Sequence, residues 1–205
     1  MRVPFLASFI IFIIWLTYEL AKVRKQEEKQ KLQFWERERQ ANNTRKKSLE
    51  GLAYITIPLD TLPVQTATED SSISEYLDVI RTLATQTIVN LTGYSNTDLK
   101  LMYGAPNITV LTEYDQNYTL LARTLQQWAS RLMELGFSDE AKAVLEFAIS
   151  TDTDVSGSYR LLASIYHENG DDAKIADLLQ RAQSLRSLSK NTIVRILQEF
   201  CPSSD

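Results

Sequence analysis

The feature that most constrains the fold is a set of residues that recurs at a spacing of 34 along the C-terminal half of the chain. The apolar members of this set lie at helical spacing, and a third, partial occurrence carries the apolar face of a last helix. Recurrence at a fixed period of this length is typical of proteins built from stacked helix pairs. The recurring pairs are Trp128 and Leu162, Ala129 and Ala163, Leu132 and Tyr166, Gly136 and Gly170, Leu145 and Leu179, and Ala148 and Ala182, and the partial third set is Ile193, Ile196, Leu197 and Phe200.

The recurring residues also follow a packing logic. Small residues such as Ala129 and Ala163 let two paired helices approach closely, while Gly136 and Gly170 permit a tight turn between them. Large residues fill the seam, and a last helix covers the exposed face of the second repeat. The predicted helices lie near 117–135, 139–150, 156–168, 172–185 and 190–200.

This spacing resembles that of the tetratricopeptide repeat, a module of antiparallel helix pairs, over residues 117–200. Such arrays normally need about three repeats for stability, and only two complete ones are visible here. We therefore expect a helix over 73–91 and the segment 52–64 to supply the missing packing surface. An ordinary helical bundle is the alternative. The departures from the family pattern are Thr153 and Ser187, where proline is usual between repeats, and Leu145 and Leu179, where an aromatic residue is usual.

The N-terminus is predicted to anchor the chain in a membrane. Residues 3–18 carry no charged side chain, and with the three residues that follow they give about 19 residues, close to the ~20 that span a bilayer. Trp15 and Tyr18 near one end suit the interface between lipid and water. Because no small-x-small cleavage site follows, residues 1–21 are interpreted as an uncleaved transmembrane helix that contacts membrane lipid through residues 3–21.

Basic residues cluster directly after this stretch, while only Arg2 precedes it. Because Lys and Arg favour the cytoplasmic side, the bias predicts a single-pass membrane protein with a cytoplasmic C-terminal domain. With the domain outside, Asn-x-Thr triplets would be glycosylation acceptors; we interpret them as chance matches. The basic residues are Lys22, Arg24, Lys25, Lys29 and Lys31, and the triplets begin at Asn42, Asn90, Asn107 and Asn117.

Two segments of different character follow the apolar stretch. Residues 22–50 are rich in helix formers and lack Gly and Pro, which predicts a charged helical stalk. Its apolar heptad positions are too sparse for a coiled coil, and a basic helix lying on a surface is the alternative. Residues 51–72 are predicted to be extended because Pro58 and Pro63 favour that backbone, and their apolar side chains are expected to dock on the folded body.

The body itself is predicted to be helical from its first residues. Residues 73–116 are interpreted as its N-terminal helices, with a capping box formed by Ser72 and Glu75 and a short helix over 98–103. The repeats and a capping helix occupy residues 117–205. The predicted fold class is therefore all-α: a single transmembrane helix and helical stalk followed by a tetratricopeptide-like array of antiparallel helix pairs with a capping helix.

Composition excludes several kinds of site. The single Cys excludes a disulfide framework and a Cys-rich zinc site, and the single His argues against a His-based metal or catalytic cluster. We find no phosphate-binding Gly-rich loop or Ser-nucleophile motif, so we expect no enzyme activity, cofactor or metal.

The distribution of charge argues against nucleic-acid binding. Residues 1–50 hold 11 basic and 6 acidic residues, and residues 51–205 hold 11 basic and 20 acidic residues. His167 is expected to be exposed or capping, Cys201 to lie in an exposed tail, and Asp152, Asp154, Asp171 and Asp172 to serve turns and caps.

The resemblance to tetratricopeptide modules implies a groove, lined by the first helix of each pair, that binds a peptide or helix of a partner. Arg123, Arg160 and Arg195 would place three guanidinium groups along it, which suits an acidic or C-terminal carboxylate ligand. The carboxylate clamp of the family uses Lys and Asn, to which Arg160 alone is comparable, while Ser130 and Ser164 replace Asn. The implied partner-binding residues are Arg123, Gln127, Ser130, Met133, Arg160, Ser164, His167, Asn191, Arg195 and Gln198.

The sequence thus predicts a non-enzymatic, membrane-tethered scaffold that binds a protein or peptide partner through this groove. One alternative is an envelope-assembly, secretion or chaperone-type factor with the same module facing outside. A second is a structural subunit whose groove is filled by its own residues 52–64. A third is an enzyme or enzyme subunit, which would need a concave cluster of titratable side chains.

Overall fold

The computed structural model describes the backbone of residues 3–200 and the side chains of residues 8–200. The described residues are helical throughout their regular structure, apart from an isolated antiparallel bridge between Tyr54 and Val89. The chain divides into two compact units, Met1–Lys47 with Ser95–Ile108 and Ser48–Tyr94 with Thr109–Asp205. The α-helices are α1 (Val3–Asn42), α2 (Ser71–Leu83), α3 (Asn96–Tyr103), α4 (Ile108–Glu134), α5 (Ser138–Ser150), α6 (Ser156–Glu168), α7 (Asp172–Ser184) and α8 (Lys190–Gln198), and a 3-10 turn covers Ala105–Asn107.

The first unit pairs the C-terminal part of α1 with α3, the short helix expected over 98–103. Glu38 on α1 accepts hydrogen bonds from Lys100 at 2.5 Å and from Thr97 at 2.6 Å, and these bonds, that from Lys100 first, lower the pKa of its carboxyl. Ala41 is fully buried, and the side-chain amide of Asn107 donates to two backbone carbonyls at 2.8 Å. The unit is thus held by polar contacts around a small buried seam.

Among the described residues, no helix is long and apolar enough to cross a membrane. In α1 the uncharged run of residues 3–18 gives way to charged side chains. Glu19 and Lys22, paired at 3.8 Å, follow at once. The prediction of a transmembrane helix over 1–21 is therefore wrong, as is that of a single-pass membrane location with a cytoplasmic domain; residues 1 and 2 lie outside the described residues.

The helices predicted from the 34-residue spacing are confirmed as α4 to α8 in the second unit, where α6 packs against α5, α7 and α8. The turns after α4 and α6 repeat the same backbone hydrogen bonds. The N–H of Gly136 donates to the carbonyl of Met133 at 3.0 Å, and that of Gly170 donates to His167 at 3.1 Å. Both glycines have positive φ, 85° and 73°, so the repetition extends to backbone geometry that favours glycine.

Helix α2 is shorter than the periodicity predicts, since it ends at Leu83 rather than near residue 91. The chain after it is extended, because the carbonyl of Ile88 accepts a hydrogen bond from the N–H of Ile55 at 2.9 Å and Val89 forms the bridge to Tyr54. Ile88 and Val89 are both buried there. The periodicity therefore marks buried positions correctly but assigns them the wrong backbone.

Two helix starts also differ from expectation. The carboxylate of Asp70 caps α2 by accepting the N–H of Ile73 at 3.1 Å, so the predicted capping box of Ser72 and Glu75 is wrong. Helix α4 begins at Ile108, well before the repeat itself, and therefore extends beyond the first helix of a standard pair.

The extended segment before α2 belongs to the core of the second unit. Ile57 and Leu62 are each 6% exposed and join the same buried cluster as Trp128 and Leu145. Ile73 and Leu77 of α2 enter that cluster as well. Both parts of the chain thus supply apolar surface to the packed helices.

Candidate functional site

The predicted partner-binding residues lie on α4, α6 and α8 of the second unit and form a row on each helix. Members of a row are spaced i, i+4 and i+7, which places them on one face of their helix. Most are exposed, while Ser130, Met133 and Ser164 are half-buried, and Met133 packs on the core beside the first row. The α4 row is Arg123, Gln127 and Ser130, the α6 row is Arg160, Ser164 and His167, and the α8 row is Asn191, Arg195 and Gln198.

Helices α4 and α6 come close to each other at Gly157, in the first turn of α6. The side-chain amide of Gln126 lies so close that a Cβ on Gly157 would be 3.2 Å from its nitrogen. The same nitrogen donates to Ser130 of the α4 row at 3.0 Å. The missing side chain of Gly157 therefore leaves room for Gln126 of α4, one turn before Arg160.

The α6 and α8 rows adjoin because these two helices pack directly on each other. At their C-terminal ends the ring of His167 lies edge-on to Phe200, with 6.1 Å between ring centroids. Ser164 turns inward on its own helix and donates to the carbonyl of Leu161 at 2.8 Å. The three helices thus adjoin through these contacts and contribute to one buried cluster.

The basic side chains of the second unit divide into two groups according to what they contact. Five of them are bonded to carboxylates, and a sixth donates to a tyrosine hydroxyl and lies over its ring. The other four, which are the three arginines of the rows and Lys190, make no side-chain hydrogen bond or ion pair with any residue that the structure describes. The unengaged residues are Arg123, Arg160, Lys190 and Arg195, and the engaged ones are Arg81 with Asp78, Arg131 with Asp70 and Glu134, Lys142 with Asp139, Lys174 with Asp171, Arg181 with Asp152, and Arg186 with Tyr94.

The rows themselves contain no carboxylate, although residues 51–205 carry 20 acidic side chains. Arg123 and Arg160 have no Asp or Glu three or four residues away on their helices, so no local ion pair is available to them. Lys190, at the first position of α8, is also unengaged, but it precedes the α8 row by one residue and lies about 100° around the helix from Asn191. The only sequence feature that marks Lys190 is its position as a basic residue at the start of the last predicted helix.

Residues 52–64 do not cover this surface. The N–H of Ile55 bonds to Ile88, Tyr54 forms the bridge to Val89, and the Tyr54 ring packs edge-on to Tyr114 with 6.3 Å between centroids. These partners lie in the segment after α2 and in the first half of α4, away from the rows. The charged ends of the rows remain exposed, which weakens the alternative of a self-filled groove.

A concave feature that sequence analysis did not anticipate lies between α5, α6 and α7 and has a volume of about 520 Å³. Leu162 and Leu178 form part of its apolar floor and are almost fully buried. Lys174 at its rim lies 5.0 Å above the ring of Tyr166 and pairs with Asp171 at 3.0 Å. Because this cation already has a partner, the cleft differs chemically from the rows.

The acidic residues between the repeat helices have structural partners. Asp152 adopts a positive φ of 57° and pairs with Arg181 at 2.9 Å, and Asp154 accepts a hydrogen bond from Ser187 at 2.5 Å. Asp171 precedes α7 but makes no side-chain capping bond. Within the described residues no group of His, Cys, Asp and Glu is arranged to hold a metal ion, and Cys201 lies outside them.

The asparagines of the four Asn-x-Thr triplets all make specific contacts. Three of them donate their side-chain nitrogen to backbone carbonyls, and the fourth accepts from a lysine. A glycan attached at the side-chain nitrogen would disrupt the three donated bonds, which favours the interpretation of these triplets as chance matches. The contacts are Asn90 with Thr151 and Asp152, Asn107 with Lys47 and Tyr103, Asn117 with Thr87, and Asn42 with Lys100.

Comparison with protein-family models, with curated proteins and with solved structures finds no match to this chain. The geometry of the three rows and the chemistry of their side chains are therefore the features from which a function can be inferred.

Proposed function

We propose that this protein is a non-enzymatic interaction module of tetratricopeptide-like construction. Its α4, α6 and α8 rows bind an extended or helical segment of a partner protein. The observation that carries the proposal is that exposed polar and basic side chains recur at the same spacing on three adjoining helices. Residues that serve only folding would not need this recurrence, since the core lies on the opposite faces of the same helices.

The rigidity of the second unit supports this role. Ala129 and Ala163 lie fully buried, so the paired helices below the rows are closely packed. A binding surface on packed helices is held in place before the partner arrives, which lowers the entropic cost of binding. Helices joined by short turns present such a surface more reproducibly than loops do.

The proposal can be tested with the purified full-length chain and a library of random peptides about a dozen residues long, a length that can cross three helices. Enriched peptides are titrated into isotopically labelled protein, and backbone amide shifts are recorded. We expect the largest shifts on α4, α6 and α8. Shifts confined to α5 and α7, or a library from which no binder is enriched, would contradict the proposal.

A matched pair of substitutions sharpens the test. Gln127 belongs to the α4 row, whereas Gln183 is exposed on α7, and both are glutamines on helix surfaces. Gln127→Trp should block the groove and weaken binding, while Gln183→Trp should leave it unchanged. Equal effects of the two substitutions would indicate that the peptides bind elsewhere.

A further inference from the structure

We propose that the partner segment held by the three rows is acidic and carries several Asp or Glu carboxylates. This inference rests on the proposed function and adds the chemistry of the ligand to it. Its basis is the selective absence of ion pairs on the row surface, which the sequence alone does not reveal.

The distribution of ion pairs within the second unit is uneven. Away from the rows, Lys142 pairs with Asp139 at 2.9 Å, and Arg131 pairs with Asp70 at 2.7 Å. Such pairing is expected in a part of the chain where acidic residues outnumber basic ones. Against this background, the unengaged cations all lie on α4, α6 and α8, and Arg195 stays unpaired although Glu199 is four residues away. Their carboxylate partners are therefore expected from another molecule.

The arginines of the rows are suited to this ligand by their geometry. A guanidinium group presents donors in a planar fork that binds a carboxylate through two parallel hydrogen bonds. Arg123, Arg160 and Arg195 supply one such fork from each helix, and Lys190 adds a further cation at the start of α8. The side-chain amides of Gln127 and Gln198 are available to bond the peptide backbone between these charges.

A nucleic acid is the other polyanion to consider, and the structure disfavours it. Residues 51–205 hold 20 acidic against 11 basic residues, a net charge of −9 that repels a continuous phosphate backbone. Single-stranded nucleic acids also need aromatic rings on which bases stack. The ring described within the rows is that of His167, whose neighbour Phe200 already lies against it. A short acidic peptide needs only the local cations.

The test uses the full-length chain and a fluorescent peptide of alternating Glu and Ser, with an alternating Gln and Ser peptide as its neutral counterpart. We expect the Glu peptide to bind and the Gln peptide to bind at least about tenfold more weakly, with affinity falling as salt rises. Each of Arg123→Gln, Arg160→Gln and Arg195→Gln should weaken binding about two- to fivefold, the range for exposed charge pairs. Arg81→Gln, which removes a paired cation elsewhere in the same unit, is the matched control and should change nothing.

The possible results separate this inference from the proposed function. If library peptides bind at the rows but the Glu peptide binds no better than the Gln peptide, the groove stands and its acidic preference is refuted. If the Glu peptide binds equally well to Arg81→Gln and to the three row variants, the inference is also refuted. Tighter binding of a single-stranded oligouridine, lost in the same row variants, would overturn it in favour of a nucleic-acid ligand.

Discussion

The contact between Asp70 and Arg131 joins the start of α2 to α4 and makes the second unit sensitive to acid. Asp70 accepts hydrogen bonds from the guanidinium of Arg131 at 2.7 and 3.2 Å and from the N–H of Ile73 at 3.1 Å. These bonds, led by those from Arg131, lower the pKa of Asp70 below its ordinary value of 3.8. The folded state therefore releases this proton more readily than the unfolded state does.

The lowered pKa of Asp70 makes the second unit less stable at low pH. A carboxyl with a lowered folded-state pKa stabilises the protein fully above its unfolded value, and this contribution is lost as pH falls through the folded value. We expect the free energy of unfolding to fall below about pH 4 in the wild type and to fall less steeply in Asp70→Asn. Asparagine can still cap α2 through its side-chain oxygen, so the substitution removes the charge and the hydrogen bonds from Arg131 but keeps the cap. Urea titrations over this pH range measure the difference.

Asp78→Asn is the control, because Asp78 lies on α2, is 73% exposed and pairs only with Arg81 within the same helix. Its acid dependence should match that of the wild type. If Asp70→Asn and Asp78→Asn have the same pH profile as the wild-type chain, the contact between α2 and α4 is not the source of the acid sensitivity.

The turn after α4 allows the free-energy cost of a positive φ to be measured without a steric clash. Gly136 has a φ of +85°, and a Cβ at this position would meet no heavy atom within 4 Å. Gly136→Ala should therefore destabilise the second unit by roughly 1–2 kcal/mol, the cost of a left-handed L-residue. Gly51→Ala is the matched control, since it too has open space but lacks a positive φ. Equal urea midpoints for the two variants would refute this account of the turn.

At the scale of elements, the extended segment before α2 is expected to contribute as much to the core as a helix does. Leu62 is 6% exposed and lies in the main buried cluster, so Leu62→Ala should cost about 2–5 kcal/mol. Leu188, between α7 and α8, is fully exposed, and Leu188→Ala should cost less than about 0.5 kcal/mol. Urea unfolding of both variants tests the difference, and similar losses would show that residues 52–64 are not part of the core.

Helices α4 to α8 could be predicted because each repeats an apolar face and ends near a recognisable turn. The end of α2 could not, because Ile88 is buried whether the chain is helical or extended. Its backbone is decided by a hydrogen bond to Ile55, which is distant in sequence. The start of α2 was missed for a related reason. Several residues there can cap a helix, and only the contact between Asp70 and Arg131 distinguishes Asp70 from Ser72.

At the scale of the whole molecule, residue spacing indicates which side chains share a face of one helix but not which of them are unpaired. The rows follow from helical periodicity, so Arg123 and Arg160 could be placed on exposed faces from sequence alone. Whether these arginines are paired depends on where the carboxylates of other helices lie, and the sequence around each arginine does not show that. The prediction of a transmembrane helix carried the apolar run of α1 past Glu19 to residue 21, whereas no helix among the described residues is long and apolar enough to cross a membrane.

The division into two units leads to a last prediction, about a chain that begins at residue 48. The main buried cluster consists entirely of residues from the second unit, so that unit contains its own core. Residues 95–108, by contrast, belong with α1, as the bonds from Asn107 to Lys47 and from Lys100 to Glu38 illustrate. Removing residues 1–47 should leave slow hydrogen exchange in α4 to α8 intact and accelerate exchange over residues 95–108.

Hydrogen-exchange mass spectrometry of the shortened and full-length chains distinguishes the possible outcomes, because it reports on each helix separately. The full-length variant Ala41→Glu is a second test, since it places a charge at a fully buried position of the first unit without shortening the chain. It should accelerate exchange over residues 95–108 and leave α4 to α8 unchanged. Loss of protection across α4 to α8 in both proteins would mean that the second unit depends on α1 for its stability, and its core alone would not be sufficient to fold it.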